Sequence, residues 1–249
     1  MPWRRRWIAR PRIRRRDRLP PLWHWFHALE TCRIADTGPD GHEALGRFLP
    51  DPGLPRRMWA GSRFSFVRPV VIGSTVTRES QVLSVTEKQG RSGRLAIVTV
   101  AHRWHDPEGL LIEEEQDIVY REAGSTTGQP VAAPRDETFA RSMTADSLML
   151  FRYSALTFNG HRIHYDPEFC ATEGYEGLVV HGPLLATLLL DLLIHEGQAP
   201  APRAFRFRAM APVIAGQAFT LCGAISGAEV RLWVRRHDGA LAMEASATV

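Results

Sequence analysis

Residues 151–183 read FRYSALTFNGHRIHYDPEFCATEGYEGLVVHGP, which sets His161, His164, His181, Asn159, Arg162 and Asp166 just ahead of a long apolar run. Imidazole titrates near pH 6.5, so a histidine held here can take a proton and return it at neutral pH. Asn159 is no base, but its carboxamide can hold and orient a water or hydroxyl. Gly182 stands at the entrance of the apolar run, where the free amides of a helix start carry the positive end of its dipole. Pro183 brings no N–H, so the Gly182 amide is the candidate donor to a growing oxyanion. A histidine of this run as proton carrier, an orienting amide at Asn159 and an oxyanion donor at Gly182 suit proton transfer beside a polarised carbonyl. His161-x-x-His164 has the spacing of a metal pair, yet no third ligand follows at a fitting distance, so no metal is expected, and no cofactor. His161 either touches the substrate or pairs with a neighbouring acid or backbone group. His181 either touches the substrate or shapes the turn, and Asp166 either orients His164 or caps the following turn.

The elements that must hold these residues follow from patterning. LLATLLLDLLIHEG, entered through Gly182-Pro183 and stopped at Gly197, is apolar on nearly every side and predicts a buried helix. Phe219–Cys222, Val230–Val234 and Leu241–Ala247 read as strands, with His237-Asp238-Gly239 as a hairpin turn. One buried helix followed by antiparallel strands implies a sheet wrapped around it. An internal repeat extends this arrangement to the first half. FSFVRPVVIGSTVT (64–77) and FRFRAMAPVIAGQAFT (205–220) share Phe-x-Phe and then Pro, Gly and Thr at one spacing, Pro69, Gly73, Thr77 against Pro212, Gly216, Thr220. Strands are predicted around Thr75–Glu87, Leu95–Trp104 and Ile118–Tyr120, with turns at 90–93 and 106–109 and a weaker helix candidate over Pro21–Glu30. GSTTGQPVAAP (124–134) is a linker by composition. The chain divides into a tail (1–18), which is expected to be disordered, a first half (19–123), the linker, and a second half (135–249).

The basic balance of the chain belongs to the tail. Residues 1–18 hold nine arginines against one acid, so a net charge of +4 leaves the remainder at −4, and no nucleic-acid-binding face is expected. The tail reads as a mitochondrial transit peptide, a polyanion-binding arm, or translated upstream sequence; lysine occurs once, at Lys88, as in a GC-rich coding region. Cys32, Cys170 and Cys222 give neither a disulfide framework nor a zinc pattern and fit a reducing compartment. The run at 184–194 is about half the ~20 residues needed to span a bilayer, so no membrane segment is expected. A cytoplasmic protein is expected, or one of the mitochondrial matrix if the tail is a transit peptide.

The run FRYSALTFNGHRIHYD resembles the signature of the MaoC-like, type 2 hydroxyacyl-thioester dehydratases, which runs small residue, Gly, Asp, x, Asn, Pro, aliphatic, His, x, Asp. Aligned on the final His-x-Asp, His164 falls on the family's catalytic histidine. Asn159 falls where most members carry a catalytic aspartate, and His161 and Arg162 replace the usual Asn and Pro. PPLWHWF, PDGHEALGRFLP, PRRMWAGSRFSF, GRSGRLAIVTV and EEEQDIVYRE resemble the non-catalytic first half of the branch acting on mesaconyl-C4-CoA (3-methylfumaryl-CoA).

The resemblance covers about residues 19–249. It implies an α+β double hot-dog fold, two fused hot-dog domains each an antiparallel sheet around a helix, with the chemistry in the second. It also implies an acyl-CoA substrate and reversible hydration of a 2-enoyl-CoA, here 3-methylfumaryl-CoA to citramalyl-CoA. The alternatives are a 3-hydroxyacyl-thioester dehydratase of fatty-acid synthesis and a hot-dog protein that binds acyl-CoA without turnover, which the missing aspartate favours. A thioesterase would need an acid early on the helix, and Asp191 is nearly three turns past its start. A carboxylated acyl group calls for a cation, for which Arg57, Arg162, Arg56 and Arg63 are candidates, each otherwise solvated or set for CoA phosphates. Trp59 and Phe64 either wall an acyl channel or belong to the core. A monomer or a homodimer of double hot-dogs is expected.

Overall fold

The two Phe-x-Phe motifs of the repeat lie side by side. Strand β1 (Arg56–Phe66) runs antiparallel to β6 (Ala204–Ala209), with Phe64 opposite Phe205 and Ser62 opposite Phe207. In the computed structural model, which describes residues 17–90, 93–123 and 129–249, this pair joins the strands of both halves into one sheet. The first half adds β2 (Thr77–Gly90), β3 (Gly93–Asp106) and β4 (Gly109–Arg121). The second adds β5 (Phe139–Thr144), β7 (Ala218–Ser226), β8 (Glu229–Arg236) and β9 (Leu241–Thr248). The order is β2-β3-β4-β1-β6-β9-β8-β7-β5, so from the centre outward each half repeats the same succession and β5 is the extra edge strand. Gly61 follows the bulge of β1 against β4 and faces β6, where a Cβ would collide with the Phe207 carbonyl oxygen. The repeat's other glycines, Gly73 and Gly216, have φ of 92° and 83° and turn the chain between strands, rather than bending a strand.

The second half wraps its strands against α3 (Gly182–His195), which buries Leu184, Leu185, Leu189, Leu190, Leu192 and Leu193. The first half departs from the expectation of a helix over Pro21–Glu30. A single 3-10 turn, Trp23–Phe26, forms there and buries His24. Leu22-Trp23-His24-Trp25-Phe26 is bounded by Pro20-Pro21 and has too few residues to sustain a helix of several turns. Leu45, Leu49 and Leu54, from the loop before β1, cover Ala96, Val98, Val100, Ile118 and Tyr120 instead. A turn and a loop fill less space than a helix, and a cavity of about 320 Å³ lies between the first-half sheet and the start of α3.

Two segments assigned by composition are partly outside the described residues. Of the tail over residues 1–18, for which disorder is expected, residues 1–16 lie outside the described residues. Asp17 and Arg18, placed in the tail, are tied to the first half, as Arg18 bridges to Val71 and Ile72 N donates to Asp17 O at 2.9 Å. Of the linker, residues 124–128 lie outside, while Ala132 bridges to Ala240 and Ala133 is buried against Trp233. No helix among the described residues is long and apolar enough to cross a membrane.

Candidate active site

Helix α1 (Ser147–Thr157), which the sequence reading passed over, delivers the chain to the site. Asp146 caps it by accepting from Met149 N, and Phe158 closes it in the left-handed region at φ 53°. Asn159 follows at once, and its Oδ1 accepts from His161 N at 2.9 Å. A backbone N–H requires an oxygen, so the carboxamide NH2 is the end left for other partners.

His164 ends a 3-10 turn, Arg162–His164, that is clipped to the strand-like segment before α3. Val179 N donates to Ile163 O at 2.9 Å, and His164 Nδ1 donates to Val179 O at 2.7 Å. The carbonyl can only accept, so Nδ1 carries the proton and Nε2 offers a lone pair. Burial pushes the pKa of His164 down to about 3, so the ring is neutral at physiological pH. Behind it lies His181, with ring centroids 3.5 Å apart and planes 21° off parallel, and His181 Nε2 meets Ser154 Oγ at 2.9 Å. Burial, and then the neighbouring His164, push His181 down as well.

His164, Asn159, His161, Gly182, Arg57 and Trp59 all line the one cavity. Gly182 opens α3, where its N–H has no intrahelical acceptor. A Cβ there would meet Trp59 O at 3.9 Å and Met243 Cε at 4.0 Å, ordinary contacts, so the surrounding protein does not itself demand glycine.

Other expectations need correction. His181 does not line the cavity; it is fully buried behind His164, which leaves it no path to a substrate. Arg162 is turned away as well, bound to Asp166 at 2.6 Å and to Pro39 O at 3.1 Å, with its guanidinium over the Phe169 ring. Asp166 does not orient His164. It caps α2 (Pro167–Thr172) by accepting from Phe169 N, and a backbone carbonyl orients the histidine. Arg56 pairs with Glu173, while Arg63 pairs with Glu115 and Asp117 on an exposed face. Phe64 packs in the core. Asp191 pairs with Arg141 at 2.8 Å, away from the cavity wall.

Arg57 and Trp59 of the first half are named from the sequence, but the loop that accompanies them is not. The loop containing Asp40, Gly41 and His42 lies against the His164 loop: Arg162 N donates to Asp40 O at 2.9 Å, and the His42 and His161 rings are 4.8 Å apart. Arg57 reaches back to Asp40, with Nε to Oδ2 at 2.5 Å and Nη2 to Oδ1 at 3.0 Å. Burial works to raise the Asp40 carboxyl, but the Arg57 hydrogen bonds and charge outweigh it and hold it below the usual carboxylate range. His42 is pushed down to about 4, by burial first and then by the Arg57 charge. Burial, then His42, lower His161 too.

The described residues thus set a neutral imidazole, an uncommitted carboxamide NH2 and a helix-start amide around one cavity. Such a set can move a proton at a carbon next to a carbonyl. A profile of hydroxyacyl-thioester dehydratase type 2 matches residues 22–215. The chain is 44% identical to a mesaconyl-C(4)-CoA hydratase of Chloroflexus aurantiacus, over 92% of this chain and 82% of that protein. It is 26% identical to a mitochondrial hydroxyacyl-thioester dehydratase type 2 of Schizosaccharomyces pombe, over 88% of this chain and 81% of that one. Among solved structures, a Mycobacterium tuberculosis protein with a double hot-dog fold aligns at a TM-score of 0.55 and 12% identity, covering 78% of this chain and 75% of that chain. By fold, motif and identity, this chain belongs to the hydroxyacyl-thioester dehydratase type 2 family, hot-dog hydro-lyases of thioesters.

Proposed function

We propose that the protein catalyses the reversible hydration of 3-methylfumaryl-CoA (mesaconyl-C4-CoA) to citramalyl-CoA. The observation that carries this reading is the His164 imidazole, with its Nδ1 proton committed to Val179 O, on a cavity wall it shares with the Gly182 amide. The acyl group is that named for the Chloroflexus relative.

In the hydration direction His164 Nε2 takes a proton from water while the oxygen attacks C3. The negative charge moves to the thioester oxygen, where the Gly182 N–H at the positive end of α3 stabilises it. His164 then returns its proton to C2. The Asn159 NH2 donates to the water oxygen, and in the reverse direction to the departing hydroxyl. Because Asn159 cannot itself accept a proton, His164 serves both steps. Trp59 walls the acyl group, and His161 and Arg57 contact its polar end.

The test follows the enoyl-thioester absorbance of 3-methylfumaryl-CoA and, in parallel, free thiol. Loss of absorbance without thiol release is expected, and His164→Ala should slow it by roughly 10³-fold with an unchanged circular dichroism spectrum. Thiol release would mean a thioesterase, and unchanged absorbance with tight binding would mean a non-catalytic acyl-CoA carrier. Faster dehydration of long-chain 3-hydroxyacyl thioesters than of citramalyl-CoA would move the assignment to fatty-acid synthesis.

A further inference from the structure

We infer that the free carboxylate of the acyl chain is received by Arg57, braced by Asp40, together with the rings of His42 and His161, so that the first half selects the substrate. This rests on the substrate reading above. In 3-methylfumaryl-CoA the carboxylate is bonded to C3, the carbon that takes the hydroxyl, at a carbon–carbon distance of about 1.5 Å. Its receptor must therefore share the cavity with His164 and cannot sit at a remote channel end.

Geometry narrows the choice of cation. Arg162, Arg56 and Arg63 are off the wall of the main cavity and bound to Asp166, Glu173 and the Glu115–Asp117 pair. Arg57 is on that wall, next to rings that link it to the base. His42 and His161 are 4.8 Å apart, and His161 and His164 are 5.6 Å apart. The guanidinium is already held in place. Nε and Nη2 serve Asp40, Nη2 also serves Glu43 O at 2.9 Å, and the Tyr120 hydroxyl interacts with the same guanidinium. A pre-oriented fork loses little freedom when a carboxylate arrives and presents its remaining donors to it. The charge of Arg57 opposes protonation of both His42 and His161, which agrees with its place beside them. An anion entering between these groups relieves that opposition.

The second arginine on the wall, Arg121 at the end of β4, supplies an internal comparison. The experiment compares kcat/KM for 3-methylfumaryl-CoA and for 3-methylcrotonyl-CoA, in which a methyl group replaces the carboxylate. Removing Arg57 alone strands the buried Asp40, so the variant is the double Arg57→Gln/Asp40→Asn, which removes both charges and keeps hydrogen-bonding groups. Its preference for the carboxylated substrate should fall by roughly 100-fold, while the neutral substrate is hydrated within a few-fold of the wild-type rate. Arg121→Gln should leave the preference unchanged. An unaltered preference in the double variant, or a loss that follows Arg121 instead, overturns the inference. If the double variant does not fold, His42→Gln decides. A loss of preference of about ten-fold supports the receptor, and none overturns it. Wild-type protein that hydrates the neutral substrate and ignores 3-methylfumaryl-CoA would refute the substrate reading itself, a result distinct from any variant outcome.

Discussion

Because Val179 O takes the Nδ1 proton of His164, burial and not a carboxylate partner governs how this imidazole titrates. Only the neutral ring can accept a proton from water, and a lowered pKa keeps it neutral to lower pH. With the pKa near 3, kcat/KM for hydration should be flat from about pH 8 to about pH 5, whereas an unperturbed histidine would lose half its base near pH 6.5. An acid limb centred near pH 6.5 in the rate profile would contradict the assignment. Substitution at Asn159 tests the neighbouring role. Asn159→Ala removes the NH2 that holds the hydroxyl and should lower kcat by about 100-fold with a smaller change in KM. Asn159→Asp retains an acceptor for His161 N, so the turn survives, but its charge favours the imidazolium. In steady-state rates measured against pH, its acid limb should therefore lie above that of the wild type.

Two loops far apart in sequence are fitted together by glycines. Gly41, at φ 90°, and Gly160 approach so closely that a Cβ on either would strike the other's carbonyl oxygen. Gly160→Ala should push the Asp40–His42 loop away from the His164 loop and lower kcat/KM by about ten-fold or more. Gly174→Ala is the control. Its φ of 79° is costly for alanine, about 1 kcal/mol, but nothing lies within 4 Å of the added methyl group, so stability should fall while turnover holds. Denaturant midpoints and steady-state rates on both variants separate the two effects. The same contact explains what could be read in advance. Helix α3 announced itself through an unbroken apolar run, and β2–β4 and β7–β9 through β-branched alternation and turn residues, all local signals. His164, Asn159 and Gly182 fell within one short segment, and its resemblance to the dehydratase signature singled out His164 among three histidines. Asp40 and His42 meet that segment only through the fold, about 120 residues away, and nothing local marks a loop histidine as a neighbour of another loop. Helix α1 was hidden because its Leu148, Phe151 and Leu156 face outward, so its apolar residues do not trace a buried stripe. The first-half helix was over-read from aromatic residues that pack as one 3-10 turn.

Across the whole molecule, the boundary between the halves concentrates buried neutral imidazoles, and folding is therefore linked to proton binding. His42, His161, His164 and His181 all have pKa values pushed below the ordinary value by burial. In the unfolded chain these rings take up protons below about pH 6.5. In the folded protein they do not until far lower pH, so the unfolded state binds more protons throughout that interval and stability rises with pH. This contribution is complete above pH 6.5 and is lost as the medium is acidified, by up to about 1.4 kcal/mol per pH unit for each ring. The carboxylates held below their ordinary range, Asp40 and Asp166 among them, add to the loss only below about pH 4. Between pH 6.5 and 4.5 the histidines should therefore dominate. Urea unfolding at half-unit pH steps should give a free energy that falls with acidification at a slope approaching several protons. His42→Gln, which removes one of these four rings, should reduce that slope by close to one proton. A stability constant from pH 7 to pH 5 would mean that these rings are hydrated or paired in solution, and would take with it the flat rate profile expected of His164.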